Sequence, residues 1–289
     1  MNVADVLAAS IDRVGSPVCV GLDPVVEQLP SACRSSGSVV EAIASFGKGV
    51  IDAVADAAAA IKVQSACYER FGSAGVEALE RTVSHARARG LFVILDAKRG
   101  DIGISASHYA AAAVHTGAHT VTVNGYLGMS GVVPFLDAGL GVFVLVRTSN
   151  PDSDSVQSVP TAAGVTVAEH MAGLVAMLGR AHLGSSGLSA VGAVVGATKS
   201  ADGQALRNAM PDQVFLIPGY GAQGGTAEDI RHLLRPARAR HRMSDAGVLV
   251  TASRSVIYAK LNANEGWQDA VRRLATQMNS ELRSVCAQQ

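Results

Sequence analysis

The amino-acid sequence predicts a (β/α)8 barrel that forms one domain over residues 1–289. Eight short apolar runs recur along the chain, and the segments between several of them have the spacing of apolar positions that is typical of helices. The runs are apolar throughout instead of alternating with polar residues, as expected for parallel strands covered on both faces. A length of 289 residues suits eight strand–helix units. A doubly wound open sheet is the alternative, because the number of strands does not prove closure.

The predicted strands and helices alternate along the chain. The eight strands are predicted at residues 17–23, 59–64, 91–98, 119–124, 141–149, 190–198, 213–221 and 247–254. Apolar positions spaced by three and four residues mark two helix faces, Val39, Ile43, Phe46, Val50 and Val54 in one and Val76, Leu79 and Val83 before Gly90 in the other. Further helices are predicted at 105–116, 164–181, 226–240 and 265–284. No break in composition divides the chain, which is why one domain is expected.

Composition excludes several classes of partner. The 24 basic residues balance the 24 acidic ones, so the chain has no overall charge that would attract nucleic acid or an anionic membrane surface. Its apolar runs are shorter than the roughly 18 residues that a bilayer span needs, and the first residues lack the apolar region of a secretory signal. We therefore expect a cytoplasmic protein with no nucleic-acid or membrane partner. The four cysteines form no CxxC pair, which argues against a zinc site or a disulfide framework.

Polar or charged residues stand at the ends of most of the predicted strands. They are Asp23, Lys62, Asp96, Lys98, Asn124, Ser149, Gln223 and Arg254. One charge after a strand is usually the first solvated residue of a loop. In a closed barrel, however, the carboxyl ends of all strands share one rim, and that rim holds the active site in barrel enzymes. The coincidence of these residues therefore predicts a functional site there.

The first four of these residues form an alternating series of charges. Asp96 and Lys98 are two residues apart on one strand and are expected to be neighbours, with Lys62 beside them and Asp23 beside Lys62. The alternative reading is a salt-bridge network that only ties strands together. The chain has five lysines and nineteen arginines, so lysine at two adjacent strand ends favours chemistry. An arginine could hold an ion pair but could not deliver a proton, because its pKa is too high.

The last two strands are followed by a candidate phosphate site. The segment "PGYGAQGGTAED" is rich in glycine, which lets backbone amides approach a ligand, and Thr226 is placed to cap the next helix. The eighth strand leads into "TASRS" with Arg254 near a helix start. The loops after strands seven and eight are the usual phosphate site of the barrel. His108, His115 and His119 are interpreted as packing residues, and no metal site is expected.

The motif "LDAKRGDIG" resembles the DxKxxD signature of the orotidine 5'-monophosphate decarboxylase family. The resemblance extends over the whole chain through "GLDP", "IKVQ", "RTSNP", "PGYGAQGG" and "ASRSVI", and its form is similar to the longer-chain bacterial branch. It implies a (β/α)8 barrel that works as a homodimer with shared active sites and needs neither a metal nor an organic cofactor.

The resemblance also implies a role for each matching residue. Lys98 would donate the proton, Asp96 and Asp101 match the two acids of the signature, and Lys62 and Asp23 match the supporting charges. Asp101 and Ser105 would reach the active site of the neighbouring subunit. The remaining matches are to substrate contacts, with Ser149 and Asn124 on the base side and Gln223 and Arg254 at the phosphate.

The implied reaction converts orotidine 5'-monophosphate to uridine 5'-monophosphate and CO2, the last step of de novo UMP biosynthesis, with a small-molecule nucleotide as substrate. Two alternatives stay open. One is a magnesium-dependent sugar-phosphate decarboxylase or aldolase of the same barrel group, which typically has an acid where Lys62 stands. The other is a non-catalytic barrel that binds a phosphate ligand and uses the charged rim only for structure.

Overall fold

The chain folds into a closed barrel of eight parallel strands in the computed structural model, which describes residues 2–34, 37–221, 224–236 and 240–287. The strands are β1 (Val18–Leu22), β2 (Ala60–Gln64), β3 (Phe92–Arg99), β4 (Thr120–Val123), β5 (Gly141–Arg147), β6 (Ser189–Val195), β7 (Gln213–Ile217) and β8 (Val248–Ala252). Their order around the barrel follows the chain, and β1 pairs with β8 to close it. The predicted barrel is confirmed, and the open sheet is excluded.

Helices cover the outside of the barrel and one of its ends. They are α1 (Val3–Val14), α2 (Ser31–Arg34), α3 (Val39–Val54), α4 (Ala66–Glu69), α5 (Gly72–Ala88), α6 (Gly103–His115), α7 (Val133–Asp137), α8 (Asp154–Gln157), α9 (Val167–Gly179), α10 (Gly203–Ala209), α11 (Ala227–Arg231), α12 (Arg254–Ile257) and α13 (Trp267–Ala287). Among the described residues, no helix combines the length and the apolar character needed to cross a membrane.

The predicted helix at 226–240 is wrong in its extent. Thr226 caps α11 as expected, and its hydroxyl accepts a hydrogen bond from Asp229 N at 3.3 Å. The helix ends at Arg231, however, and a turn follows. Pro236 would in any case prevent a helix from continuing to residue 240, because proline disfavours a helical conformation in the residue before it and cannot donate a backbone hydrogen bond. Residues 237–239 lie outside the described part of the chain.

Two buried apolar layers hold the barrel. The larger one lies between the strands and the surrounding helices, with Phe46, Val93 and Phe135 among its fully buried members. The smaller one fills the barrel interior. There, apolar residues of α1 such as Leu7 and Ile11 pack in the same cluster as the inward side chains of the strands. Helix α1 therefore closes the amino-terminal end of the barrel and leaves the carboxyl ends of the strands open.

Candidate active site

The carboxyl ends of the strands surround a pocket of about 630 Å³. The predicted site residues that line it come from six strand ends and are Asp23, Lys62, Asp96, Lys98, Asn124, Ser149 and Arg254. Gln223 lies outside the described residues. Asp101 and Ser105 are described, but neither lines the pocket. The structure thus brings together most of the residues that the sequence selected.

The floor of the pocket lies at the level where the inward side chains of the strands change from apolar to polar. On β3, Phe92 and Ile94 belong to the interior core, and Asp96, the next inward residue, lines the pocket. On β2, Ala60 belongs to the same core and is followed by Lys62. Since side chains point inward at every second residue of a strand, these charges stand directly above an apolar floor.

The charged side chains alternate in the predicted order. Lys62 Nζ lies 2.6 Å from Asp96 Oδ2 and 3.5 Å from Asp23 Oδ1. Lys98 Nζ lies 2.6 Å from Asp96 Oδ1. The carboxylate of Asp96 therefore binds one ammonium group through each of its oxygens.

From the sequence, Asp96 and Lys98 were expected to be neighbours because they are two residues apart on a regular strand. They are neighbours, but the strand between them is irregular. β3 and β4 pair at Leu95↔Val121 and next at Arg99↔Val123, so three residues of β3 lie opposite one residue of β4. Within this bulge Lys98 has φ +46°, in the left-handed region. That conformation costs an L residue roughly 1–2 kcal/mol. From within this bulge the Lys98 side chain reaches back to Asp96, and β3 resumes its pairing with β4 at Arg99.

Two further polar side chains hold Asp96, and the sequence analysis missed both. The Thr122 hydroxyl donates a hydrogen bond to Asp96 Oδ1 at 2.9 Å, and Gln64 Nε2 donates one to Asp96 Oδ2 at 3.3 Å. Both residues lie on inward positions next to β3. The alternation of Thr120, Thr122 and Asn124 in "TVTVN" was the available indication, because it places three polar side chains on one face of β4.

The array is charged at neutral pH. Burial opposes the ionisation of Asp96, but the charges and hydrogen bonds of Lys62 and Lys98 outweigh burial and lower its pKa to about 2. Burial likewise opposes the positive charge on Lys62. The attraction of the Asp23 and Asp96 carboxylates outweighs this effect of burial, so the pKa of Lys62 is raised. The two lysines differ in access, since the side chain of Lys62 is 8% exposed and that of Lys98 is 48% exposed. Lys98 is the cation that a bound molecule can reach.

Arg254 supplies a further cationic group, at the end of β8, which pairs with β1. It begins α12, is exposed, and lines the pocket beside Gly219 and Tyr220. Among the residues that the structure describes, its guanidinium has no ion-pair partner. Gly21 makes room for this corner, because a Cβ at that position would lie 1.9 Å from Ser253 Oγ. The arrangement is suited to an anionic group of a ligand.

The glycine-rich loop after β7 differs from the predicted amide cradle. The backbone amides of Gly221, Gly224 and Gly225 donate to carbonyl groups inside the loop, at 2.9 to 3.1 Å. These three donors are therefore used in folding the loop. Tyr220 fixes the loop to α13, because its hydroxyl donates to Glu281 Oε2 at 2.9 Å. Glycine is required at Gly219, where φ is +94°.

The polar loop after β5 is fixed by a buried arginine that the sequence analysis also missed. Arg147 Nε donates to Asp202 Oδ2 at 2.6 Å, and Arg147 Nη2 donates to Asp154 Oδ1 at 2.5 Å. Lys199 Nζ reaches both oxygens of Asp154 at 2.8 Å. This network ties the loop that contains Ser149 to the segment after β6. The wall of the pocket formed by this loop is consequently held in place before any ligand binds.

The remaining predicted residues have different surroundings. Asn124 lines the pocket, and its Oδ1 accepts a hydrogen bond from Tyr126 N at 3.0 Å. Asp101 is half-buried in the connection between β3 and α6, where its Oδ1 accepts a bond from Ile102 N at 2.8 Å. Ser105 lies in the first turns of α6. Neither Asp101 nor Ser105 reaches the pocket of its own chain.

The histidine cluster of the sequence does not form a site in the described structure. His119 stacks on Phe92 with the ring centroids 4.7 Å apart, and its Nδ1 accepts a hydrogen bond from Val93 N at 2.9 Å. Burial, together with the charge of Arg87, lowers the pKa of His119 to about 4. Within residues 2–34, 37–221, 224–236 and 240–287, no three His, Cys, Asp or Glu side chains are grouped to hold a metal ion.

Comparison with known proteins agrees with this geometry. Residues 16–269 match the model of a family described as the orotidine 5'-phosphate decarboxylase / HUMPS family. The chain belongs to this family. The resemblance that the DxKxxD motif indicated is therefore confirmed, as is the barrel that the family membership implied.

Individual relatives in this family align over nearly the whole chain. The orotidine 5'-phosphate decarboxylase of Rhodopirellula baltica is 40% identical over 308 residues, which cover 98% of this chain and 99% of the relative. That of Roseiflexus castenholzii is 39% identical and covers 99% of this chain and 100% of the relative. The structure of Leishmania donovani OMP decarboxylase superposes with a TM-score of 0.75 at 29% identity, covering 98% and 99% of the two chains.

The pKa of Asp96 predicts how Asp96 contributes to stability at acid pH. Because folding lowers this pKa from 3.8 to about 2, the ionised group stabilises the protein above roughly pH 4, and this contribution is lost as the pH falls toward 2. Asp96→Asn cannot titrate. We expect the difference in unfolding free energy between the wild type and Asp96→Asn to be larger at pH 6 than at pH 3 by about 1 kcal/mol, measured by urea denaturation.

The same comparison in a Lys62→Met background is the control. Without Lys62 the pKa of Asp96 is lowered less, so the difference between the Asp and Asn forms should depend less on pH. Equal differences at pH 6 and pH 3 in the wild-type background would contradict the assigned charge state.

Proposed function

We propose that this protein decarboxylates orotidine 5'-monophosphate to uridine 5'-monophosphate and CO2, the last step of de novo UMP biosynthesis. The observation that carries the proposal is the array of Lys62, Asp96 and Lys98 above an apolar floor at the open end of the barrel. Membership of the orotidine 5'-phosphate decarboxylase / HUMPS family supports it, as do the names of the aligned relatives.

The chemistry requires a cation where negative charge develops. When the bond between C6 of the pyrimidine and the carboxylate breaks, CO2 leaves and the electron pair stays on C6, where no adjacent carbonyl can accept it. The ammonium group of Lys98 would stabilise this carbanion and then transfer a proton to C6. Lysine is suited to both steps, because it carries a full charge and can release a proton, which arginine cannot.

Asp96 would orient the proton donor and act on the leaving group. Its two oxygens hold the ammonium groups of Lys62 and Lys98 at 2.6 Å each. Because Asp96 stays ionised, it also places negative charge near the substrate carboxylate, which favours loss of that group as neutral CO2. Lys62, which Asp23 supports, would keep Asp96 ionised and fixed.

The far end of the pocket would bind the phosphate group. Arg254, with no ion-pair partner among the described residues, supports this assignment. Gln223 stays a proposed second phosphate contact on the resemblance alone. Ser149 and Asn124 are proposed contacts to the pyrimidine side, and the anchored loop after β5 supports a preformed wall there. Phosphate binding away from the reacting carbon would offset the cost of ordering the site.

We also propose a homodimer in which Asp101 and Ser105 complete the site of the partner subunit. Both residues lie outside their own pocket. Large apolar side chains near Asp101 are exposed, with Ile104 at 74% and Tyr126 at 80%, which favours an interface at this face. We also propose a cytoplasmic location, which would suit a charged nucleotide substrate. The closed barrel, with α1 and α13 packed on it, supports one domain over residues 1–289.

The two alternative functions are not favoured. A magnesium-dependent sugar-phosphate enzyme needs anionic ligands where the Lys62 ammonium instead lies 2.6 Å from Asp96, so a divalent cation there would meet like charge. A purely structural role for the charged rim does not explain why Lys98 is held in a left-handed conformation and half-exposed in the pocket. The aligned relatives carry the name of the decarboxylase.

The proposed role of Lys98 is tested by two substitutions at that position. Lys98→Ala removes the cation, and Lys98→Arg retains a charge that does not release a proton at neutral pH. Both should lower kcat for orotidine 5'-monophosphate by more than about 1,000-fold, followed by the ultraviolet absorbance of the substrate with a chelator present. Lys48→Ala, an exposed lysine on α3, is the control and should retain full activity. Turnover of Lys98→Ala within about 10-fold of the wild type would remove Lys98 from its role.

The phosphate assignment is tested by comparing substrates with and without that group. Arg254→Ala should lower kcat/KM for orotidine 5'-monophosphate by about 100-fold or more, because a charge-assisted contact is lost. The same variant should act on orotidine, which lacks the phosphate, as slowly as the wild type does. A similar loss on both substrates would show that Arg254 acts elsewhere in the site.

The shared active site is tested by mixing two inactive variants. Lys98→Ala and Asp101→Ala should each be nearly inactive alone. After subunit exchange at a 1:1 ratio, half of the dimers contain one subunit of each kind and one intact site, so about a quarter of the wild-type activity should return. No recovery in a mixture shown by mass spectrometry to have exchanged would rule out a contribution of Asp101 in trans.

A further inference from the structure

The conformation of Lys98 requires an explanation in the backbone around it. Three residues of β3 lie opposite one residue of β4, so the regular ladder of hydrogen bonds is interrupted between Leu95 and Arg99. Lys98 adopts φ +46° inside this interruption, and Asn264 is the only other residue besides glycine with a positive φ in the described chain. A conformation that L residues disfavour persists only where surrounding contacts hold it.

The single residue of β4 opposite the bulge is Thr122. Its Oγ1 accepts a hydrogen bond from Lys98 N at 2.9 Å and donates one to Asp96 Oδ1, also at 2.9 Å. Asp96 Oδ1 in turn binds Lys98 Nζ at 2.6 Å. The hydroxyl thus closes a ring that contains both the backbone amide and the ammonium group of the same lysine.

A threonine side chain at position 122 is well suited to making these two hydrogen bonds. The residue is 1% exposed, so water does not compete for its hydroxyl. A hydroxyl can accept one bond and donate another at the same time, and the branched Cβ limits the rotation that would break them. Valine has the same shape but would leave the Lys98 amide and one oxygen of Asp96 without this partner.

We propose that Thr122 is a positioning residue that fixes the bulge and thereby sets where the ammonium group of Lys98 stands in the pocket. The inference rests on the proposed decarboxylation, in which Lys98 must lie close to the reacting carbon. Lys98 has a flexible four-carbon stem and is half-exposed, so the direction of its side chain depends on a fixed backbone and on Asp96. Misplacement by about 1 Å is enough to lower the rate of a reaction about 100-fold.

The test compares Thr122→Val with Thr122→Ser. Thr122→Val should lower kcat by about 10-fold to about 100-fold, while KM and the affinity for UMP change by less than about 3-fold, because the phosphate and base contacts are unaffected. Thr122→Ser restores a hydroxyl and should keep kcat within about 3-fold of the wild type. Thr120→Val is the matched control on the same strand, since the Thr120 hydroxyl is buried and has no hydrogen-bond partner in the described residues; it should leave kcat unchanged.

A second readout does not depend on activity. The amide hydrogen of Lys98, followed by NMR, should exchange about 10-fold faster in Thr122→Val than in the wild type or Thr122→Ser, because its acceptor is gone. Wild-type kcat in Thr122→Val, an equal loss in the Ser variant, or parallel losses of UMP affinity and melting temperature would each overturn the inference. Failure of the wild type to decarboxylate orotidine 5'-monophosphate would instead overturn the proposed function, and unchanged amide exchange would separately overturn the role of Thr122.

Discussion

The contact on which this site depends is the buried carboxylate of Asp96 between two ammonium groups. Removing a charge from water is costly, and the cost is offset here because each oxygen of Asp96 has a cationic partner at 2.6 Å and a further polar donor. The barrel makes this arrangement feasible, since Gln64 of β2 pairs directly with Asp96 of β3 and Lys62 is the preceding inward residue of β2. Lys62 completes the buried core of the array, and Lys98 extends the positive charge into the pocket.

Much of the fold could be read from the sequence because parallel strands covered on both faces leave continuous apolar runs. Every predicted strand overlaps an observed one. The residues that line the pocket could be predicted from the same strand assignment, since the carboxyl ends of all strands of a closed barrel surround one opening. The helix predicted at 226–240 is shorter than expected, since it ends at Arg231 and Leu233 is buried in the turn that follows.

What the sequence could not provide were contacts between residues distant in the chain. The bulge at Lys98 could not be predicted from the segment "DAKRG", because the left-handed backbone conformation of Lys98 is held by Thr122 on another strand. Arg147 was not selected from the sequence, because its partner Asp202 lies 55 residues away along the chain. The glycines after β7 suggested free amides, but several of these donors are bonded within the loop. Such details depend on three-dimensional packing and not on local periodicity.

Because α1 closes the amino-terminal end of the barrel, ligands can enter and leave the pocket from one side only. Leu7 and Ile11 pack with Phe92 and Phe143 beneath the charged array, so the interior has no passage toward the amino-terminal side in the described structure. Any molecule in the cavity, CO2 as well as the nucleotide, must therefore leave through the opening at the carboxyl ends of the strands. A bound molecule therefore blocks the entry of the next one until it has left through this opening.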